Sequence, residues 1–416
     1  MVQTTMRPGT GAEFTLEQVA YLLSHRGQEG LRRLAHADLS EANRLHLVER
    51  LRNVHGLQEA DALIRQALLR RRARAKFPHA EIMYFTAQGL EQATTWTIAR
   101  RRAAWLHASL PPGPVLDLGC GIGGDLLALA HHRPVIAYEM DPVRLRFAQA
   151  NVQALGLGPA VQFRQGDWRQ DLAAGKLGPA AGAFVDPSRR RHGRRLHGLA
   201  RLDPPLAALL ALRTRVRALA VKAAPGVQGW ELPPQAGVTY ISHRGVCKEA
   251  LLAFPPLDRP GTRRAWVHAG QDWYVLETPE GPSPPVGPLE PGMVLHEPDP
   301  AIIRAGAFVP LCRLLEAHLL DPELAYLAGP RPAQGTPAGP FVRSFQVEEV
   351  HPFQLKALNR RLQALGIGRV ELKKRGAPFA PESLRRRLHL VPGGRSAVIF
   401  FTRLGCRPTM ILARRL

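Results

Sequence analysis

The chain has 416 residues, 45% of them hydrophobic, with 56 Lys and Arg against 34 Asp and Glu and a formal net charge of +22. That length allows two or three domains with real cores, and a balance this basic points to a polyanionic partner, nucleic acid first. No run reaches the roughly 20 apolar residues of a membrane span, residues 1–14 lack the apolar stretch of a signal peptide, and Cys120, Cys247, Cys312 and Cys406 are too scattered for a zinc site or a disulfide framework.

In chain order, residues 14–75 read as helices. Leu16, Val19, Ala20 and Leu23 make one apolar face, Leu45, Leu47, Val48 and Leu51 another, and Ala60, Leu63, Ile64, Ala67 and Leu68 a third. Thr15 and Ser40 are placed as N-caps, and Arg70, Arg71, Arg72, Arg74 and Lys76 close the stretch as a basic run. Residues 90–109 predict one further helix, stopped by Pro111-Pro112-Gly113. Short apolar runs then alternate with amphipathic segments, the pattern of a parallel sheet with crossover helices. The expected strands are 114–118, 134–138, 161–164, 181–185 and 216–222, then a pair near 237–242 and 249–254 and a strand-like stretch at 263–277. Residues 298–327 read as helix. Residues 328–340, AGPRPAQGTPAGP, read as a linker. A compact tail follows, with strands at 341–350, 368–374, 396–403 and 408–414 and helices at 352–365 and 380–389.

The stretch "PVLDLGCGIGGDLLALA", residues 114–130, carries the strongest chemical signal. A strand ends near Asp117. Gly119, Gly121 and Gly123 follow at alternate positions, where glycine lets the backbone turn tightly and approach a ligand. No Lys-Ser/Thr follows, so it is not a P-loop. Glu139 lies at the end of the next strand, where a carboxylate can grip ribose hydroxyls. Asp167 and Trp168 close the third strand and suit an adenine, the carboxylate accepting from the exocyclic amine and the indole forming an apolar wall. A cradle for a ribose and an adenine, with no phosphate-gripping lysine, suggests a nucleoside without phosphates.

These residues, in this order and spacing, resemble the class I S-adenosylmethionine-dependent methyltransferases. The resemblance implies that Asp117, Gly119, Gly121, Gly123, Glu139, Asp167 and Trp168 bind S-adenosylmethionine. Residues 83–106 resemble the segment before the first strand of trimethylguanosine synthase-like enzymes, which implies that Phe85 and Thr86 also touch the cofactor.

In that family the fourth strand ends at the methyl-transfer site. Here it delivers "AFVDPSRRRHGRR", residues 183–195. Asp186 can accept from an exocyclic amine, with the Pro187 carbonyl accepting a second hydrogen bond, so that alignment of the nucleophile supplies much of the acceleration. Ser188 stands where amine-type motifs have a second proline, and no aromatic follows. Asp186, Pro187 and Ser188 are therefore the expected catalytic residues, with carbon and ribose acceptors left open beside a base amine. Arg189, Arg190, Arg191, Arg194 and Arg195 would hold the phosphates that accompany a base to the pocket. A genome rich in G and C accounts for only seven of the 56 basic residues being Lys; it does not account for their excess over acids.

Further segments, "HRGVCKEALLAF" (243–254), "HEPDPAIIRAG" (296–306), "DPELAYL" (321–327) and "ELKKRG" (371–376), resemble bacterial class I methyltransferases that end in a THUMP-like domain. The implied fold is α/β: a Rossmann-like class I methyltransferase sheet, an N-terminal helical region and a small C-terminal α/β THUMP-like module. The expected boundaries are 1–110 for the helical region, 111–327 for the methyltransferase domain with a C-terminal extension, 328–340 for the linker and 341–416 for the module. Lys373, Lys374 and Arg375 at a strand end, with Lys356, Arg360, Arg361 and Arg385 to Arg387 on helices, look like an RNA-docking face. Glu297, Asp299 and Arg304 read as a helix cap with a salt bridge. The expectation is a cytoplasmic enzyme that methylates a base, a purine exocyclic amine foremost, in structured tRNA or rRNA, with no metal, membrane or obligate protein partner. A methyltransferase acting on protein or a small molecule, or an RNA-binding protein that keeps the fold as scaffold, are the other readings.

Overall fold

A computed structural model describes residues 14–187, 190–191, 194–195, 198–199, 202–377 and 381–416. The chain divides into two compact units. The first runs to residue 223 and adds residues 227–236 and 252–260; the second holds residues 224–226, 237–251 and 261–416.

The first unit opens with helices α1 (Leu16–Leu23), α2 (His25–Leu34), α3 (Glu41–His55), α4 (Leu57–Ala73), α5 (Ala87–Gln92) and α6 (Trp96–Ser109). Thr15 caps α1 in a reciprocal box with Gln18. Ser40 does not cap α3; its hydroxyl donates to Asp38 instead. The single helix expected over 90–109 is two, because the chain leaves helical geometry at Ala93 and Thr95 and the Thr94 hydroxyl turns to Asp125. The basic run at the end of α4 works largely inward: Arg70 donates to Met83, Arg71 to Ala37, and the Lys76 ammonium to the carbonyls of Leu90, Glu91 and Ala93.

Then follow β1 (Val115–Leu118), α7 (Gly124–Ala130), β2 (Val135–Glu139), α8 (Pro142–Ala154), β3 (Val161–Gln165), α9 (Trp168–Ala173), β4 (Gly182–Val185), the short β5 (Arg190–Arg191) and β6 (Arg194–Arg195), α10 (Leu206–Ala211) and β7 (Leu219–Ala223). The strands β3, β2, β1, β4 and β7 lie side by side in that order, all parallel. All residues of β1, β4 and β7 are buried, which is why they read as unbroken apolar runs. The chain winds outward from β1 through β2 to β3 and returns beside β1 as β4. This reversal leaves a crevice at the carboxyl ends of β1 and β4, where open α/β sheets place their ligands.

The second unit holds β8 (Gly237–His243), the first part of β9 (Val246–Phe254), β10 (Arg263–Ala269), β11 (Asp272–Glu277), β12 (Val294–Pro298), α11 (Pro300–Ala305), α12 (Phe308–Leu315), β13 (His318–Asp321), β14 (Leu324–Gly329), β15 (Val342–Pro352), α13 (Leu355–Ala364), β16 (Ile367–Lys374), α14 (Pro381–Arg385), β17 (Arg395–Leu404) and β18 (Arg407–Arg415). β10 pairs with β8 in parallel and with β11 antiparallel. A seven-stranded sheet runs β13-β14-β12-β15-β18-β17-β16. One face buries Tyr326, Phe345 and Phe400, with the ring centroids of Phe345 and Phe400 4.9 Å apart. The other buries Leu358, Leu362, Ile399, Phe401 and Leu412.

Two sequence expectations change here. The helix read over 298–327 ends at Leu315, and residues 318–329 form the hairpin β13–β14 around the turn at Pro322-Glu323. Residues 328–340 are not a free linker. Ala333 and Ala338 are buried, and the Ala333 N–H donates to the Ser344 hydroxyl, so the stretch is a packed connection inside one sheet. The sheet of the C-terminal module therefore begins upstream of residue 341, at β12. Asp299 does cap α11, accepting from Ala301 N–H and from the Ser242 hydroxyl, while Glu297 pairs with Lys373.

Candidate active site

The crevice is a cavity of about 470 Å³, and its lining draws on the ends of β1, β2, β3 and β4. Its floor is the glycine loop. Gly119, Gly121 and Gly123 have φ of +93°, +58° and +93°, a region that costs an ordinary L-residue about 1–2 kcal/mol. A Cβ built on Gly119 or Gly121 meets no atom of the described protein within 4 Å. Packing therefore does not demand glycine at these two positions; the turn does, and so does close approach by a ligand. Gly119 and Cys120 N–H both donate to the Tyr138 carbonyl at 2.9 Å, which fixes the loop to β2.

Glu139, at the end of β2, is buried. Its Oε2 accepts from Gly121 N–H at 2.8 Å and its Oε1 from Asp141 N–H at 2.9 Å. Each oxygen keeps a lone pair, so the carboxylate is aimed and still able to accept from vicinal hydroxyls. Asp117, in β1, is 1% exposed, and its Oδ2 has no hydrogen-bond partner among the described residues. Burial, then the neighbouring carboxylates Asp125 and Asp186, push its carboxyl well above the ordinary range; Arg102 pulls the other way. A buried polar atom left unpaired calls for a ligand donor, and the ammonium of an amino-acid moiety supplies one.

Asp167 caps α9 and is held by Arg169, whose guanidinium lies 2.7 Å from Oδ2. This pairing holds the Asp167 carboxyl below its usual range. Asp167 and the buried Trp168 both line the cavity, so an adenine amine would share the carboxylate with Arg169. The acceptors, the glycine cradle and the indole fit an amino-acid-bearing nucleoside such as S-adenosylmethionine.

Phe85 and Thr86 do not line the cavity. Both are fully buried; Phe85 packs on Phe77, and Thr86 caps α5 by accepting from Gly89 N–H at 2.9 Å. They act one step back, by placing Gly89 and Ala93, which do line it. At the far side stand Asp186 and Pro187. Sequence reasoning missed the partner of Asp186. Lys222 Nζ, on β7, lies 2.5 Å from Asp186 Oδ2. A single lysine inside the apolar run "ALAVKAAP", residues 218–225, was the signal that could have found it. Ser188 and Arg189 lie outside the described residues. Arg190 and Arg191 pair antiparallel with Arg195 and Arg194, making a two-stranded ribbon beyond Pro187.

In the C-terminal module the expected basic face breaks up. Lys373 Nζ lies 2.6 Å from Glu297 and 3.4 Å from Glu371, above the ring of Phe345. Arg375 donates to the Ala325 carbonyl and stacks on Tyr326. Both serve the fold; of the three, only Lys374 is exposed. A different group gathers in a surface groove: Lys356, Arg360, Arg387 and His389, with no carboxylate in the lining. Asn359 and Gln363 hold that groove open by hydrogen bonds to the backbone of Arg387 and His389, at 2.8–3.0 Å.

A parallel sheet with a glycine loop, a ribose acid and an unpaired carboxylate at its switch point defines a nucleoside-binding transferase of the class I methyltransferase type. Comparisons agree. Residues 112–176 match a methyltransferase domain, residues 342–415 a THUMP domain-like family and residues 15–73 a domain of unknown function. An uncharacterized S-adenosylmethionine-dependent methyltransferase of Mycobacterium tuberculosis is 34% identical over 358 residues, 82% of this chain and 92% of that one. An uncharacterized RNA methyltransferase of Parasynechococcus marenigrum is 37% identical over 90 residues, 21% of this chain and 19% of that one. The fold matches a crystal structure from Porphyromonas gingivalis W83, described as a methyltransferase, with a TM-score of 0.75 at 19% identity over 97% of this chain and all of that one. The chain belongs to the S-adenosylmethionine-dependent methyltransferases and carries a C-terminal THUMP-like domain.

Proposed function

We propose that this enzyme methylates structured RNA, using S-adenosylmethionine bound at Asp117, Gly119, Gly121, Glu139, Asp167 and Trp168. The observation that carries the reading is the junction at Pro187: the strand end that presents Asp186 to the cavity leads at once into the arginine ribbon Arg190–Arg195. A nucleotide reaching Asp186 brings its phosphates to that ribbon, and such contacts supply most of the sequence-independent affinity.

Two further features support it. Trp230 is 84% exposed, and its turn is tied to Leu199, just past the ribbon, because Glu231 Oε1 accepts from Leu199 N–H at 3.0 Å. An exposed indole there offers a stacking plane to an unpaired base. The groove at Lys356, Arg360 and Arg387 offers a second phosphate track. The Asp-Pro motif alone favours a base amine as acceptor. Free, widely separated cysteines favour the cytoplasm as its compartment; no helix among the described residues is long and apolar enough to cross a membrane.

The test is transfer of labelled methyl to total RNA and to total protein from cells lacking the gene, with Asp186→Ala as control. Label in RNA that disappears with Asp186→Ala is the expected result. Label in protein alone refutes the reading.

A further inference from the structure

β4 and β7 are adjacent and parallel, with Val185 opposite Val221. The next residues, Asp186 and Lys222, therefore stand side by side at the carboxyl edge of the sheet. Lys222 Nζ lies 2.5 Å from Asp186 Oδ2; the lysine side chain is 6% exposed and the aspartate 27%. Asp186 faces the cavity and Lys222 stands behind it.

We propose that the methyl acceptor is a ribose hydroxyl of the RNA, not a base amine, and that Lys222 positions Asp186 to take the hydroxyl proton; this rests on the RNA reading above. The argument is the charge that each nucleophile develops. A neutral amine becomes positive as it attacks, and a bare carboxylate beside it is what stabilises that charge. Pairing the carboxylate with a buried ammonium cancels much of that benefit. A hydroxyl instead gains nucleophilicity as its proton departs, and its oxygen becomes partly negative. A bare carboxylate would repel that oxygen; the ammonium relieves the repulsion and leaves Asp186 Oδ1 to accept the proton. Hydrogen-bond count agrees. With Oδ2 occupied by Lys222, the carboxylate has one oxygen fully open, which suits the single proton of a hydroxyl. Base amines also favour a flanking aromatic plane, and the residues after Pro187 are Ser188 and Arg189.

The step balances. The hydroxyl oxygen forms a bond to the sulfonium methyl carbon, the carbon–sulfur bond breaks with its pair going to sulfur, and sulfur becomes a neutral thioether. The hydroxyl proton passes to the Asp186 carboxylate and from there to water. A weak base suffices, because an ether oxygen still bearing its proton is a strong acid.

The experiment is alkaline hydrolysis of RNA labelled by the wild-type enzyme. A methylated 2′-hydroxyl cannot attack the adjacent phosphodiester, so label is expected in alkali-resistant dinucleotides. Label confined to mononucleotides overturns this inference and leaves RNA methylation standing; no label in RNA overturns the RNA reading itself. On the labelled RNA, Lys222→Met is expected to lower kcat by roughly a hundredfold, with KM for RNA and the cofactor Kd changed by less than about threefold. Lys222→Arg, which keeps the cation, is expected to recover more than about a tenth of wild-type kcat. Equal losses in both variants, with cofactor binding lost as well, would mean that Lys222 serves only the fold and would overturn its positioning role.

Discussion

Arg102, on α6, ion-pairs with Asp125 beneath the glycine loop, and its guanidinium lies 4.5 Å from the centre of the Phe184 ring. The arginine side chain is 2% exposed and Asp125 12%. One buried cation thus serves two carboxylates, since it also draws the Asp117 carboxyl downward. Arg102→Met would leave Asp125 without this partner inside the loop, at a cost of about 3–5 kcal/mol. A melting temperature lower by something on the order of 10 °C is expected. Adding Asp125→Asn should recover part of it. Circular dichroism melts of the two variants check this; an unchanged melt for Arg102→Met would mean the pair contributes little.

The raised pKa of Asp117 sets a pH dependence with a definite sign. Burial comes first among its causes, followed by Asp125 and Asp186. In the free protein the folded state keeps a proton there that the unfolded chain has released. The contribution of this group to stability therefore falls as pH rises from the ordinary carboxylate range toward the raised value. A cofactor ammonium needs the ionised form, so affinity should rise with pH through the same window. Asp117→Asn is expected to melt higher than the wild type near neutral pH without cofactor, to bind S-adenosylmethionine at least about tenfold more weakly, and to lose the pH dependence. Calorimetric titrations at several pH values, beside melts of the free proteins, measure all three.

What the sequence shows of this site follows from what backbone geometry demands of it. Gly119, Gly121 and Gly123 are legible because positive φ leaves few other choices, and Asp117, Glu139 and Asp186 because each closes an apolar strand. Lys222 closes one too, but a lysine at a strand end resembles any solvated residue until β4 is seen beside β7. Phe85 and Thr86 look functional by position and prove to be packing and capping groups. Lys373 and Arg375 look like a docking face because sequence lists charges without their partners; Glu297, Tyr326 and the Ala325 carbonyl take them up. The hairpin at 318–329 is missed for a related reason. Its apolar residues are buried throughout β14, so the run shows no strand alternation and passes for a continuation of the helices before it.

The cradle can be filled. Gly121→Ala places a methyl group where no described protein atom lies within 4 Å, so the loop should survive with about 1–2 kcal/mol of backbone strain. The methyl group would stand in the space the ligand is to approach. Cofactor affinity is therefore expected to fall by far more than stability. Titration calorimetry and a melt, run on the same preparation, separate the two effects; a Kd within about twofold of wild type would remove the loop from the binding site.

The groove on the C-terminal module and the Lys373 cluster make opposite predictions. Replacing Lys356, Arg360 and Arg387 by Gln removes three exposed cations that the groove does not pair. The melt should hardly move, while the slope of log K for single-stranded RNA against log salt should become shallower by about 2. Lys373→Met instead leaves Glu297 without its 2.6 Å partner. It should lower the melting temperature and leave the salt slope as it was. RNA binding over a salt series with all four proteins decides between groove and cluster as the docking surface.

Trp230 separates stacking from charge. Its indole is 84% exposed, and the Glu231 carboxylate beside it also accepts from Gln228 N–H at 2.8 Å, so the turn that carries it is braced on both sides. Trp230→Ala removes no packing of consequence and should leave the melt unchanged. Loss of one base–aromatic contact is worth about 1–3 kcal/mol, so RNA affinity should fall roughly 5- to 150-fold with the salt slope intact. Trp230→Phe should retain part of the affinity, since a smaller ring still stacks. Measured as Kd for a single-stranded oligonucleotide at two salt concentrations, an alanine variant that binds like the wild type would mean the indole meets no base; a change in slope would mean the turn positions the arginine ribbon, through Leu199, and does not stack.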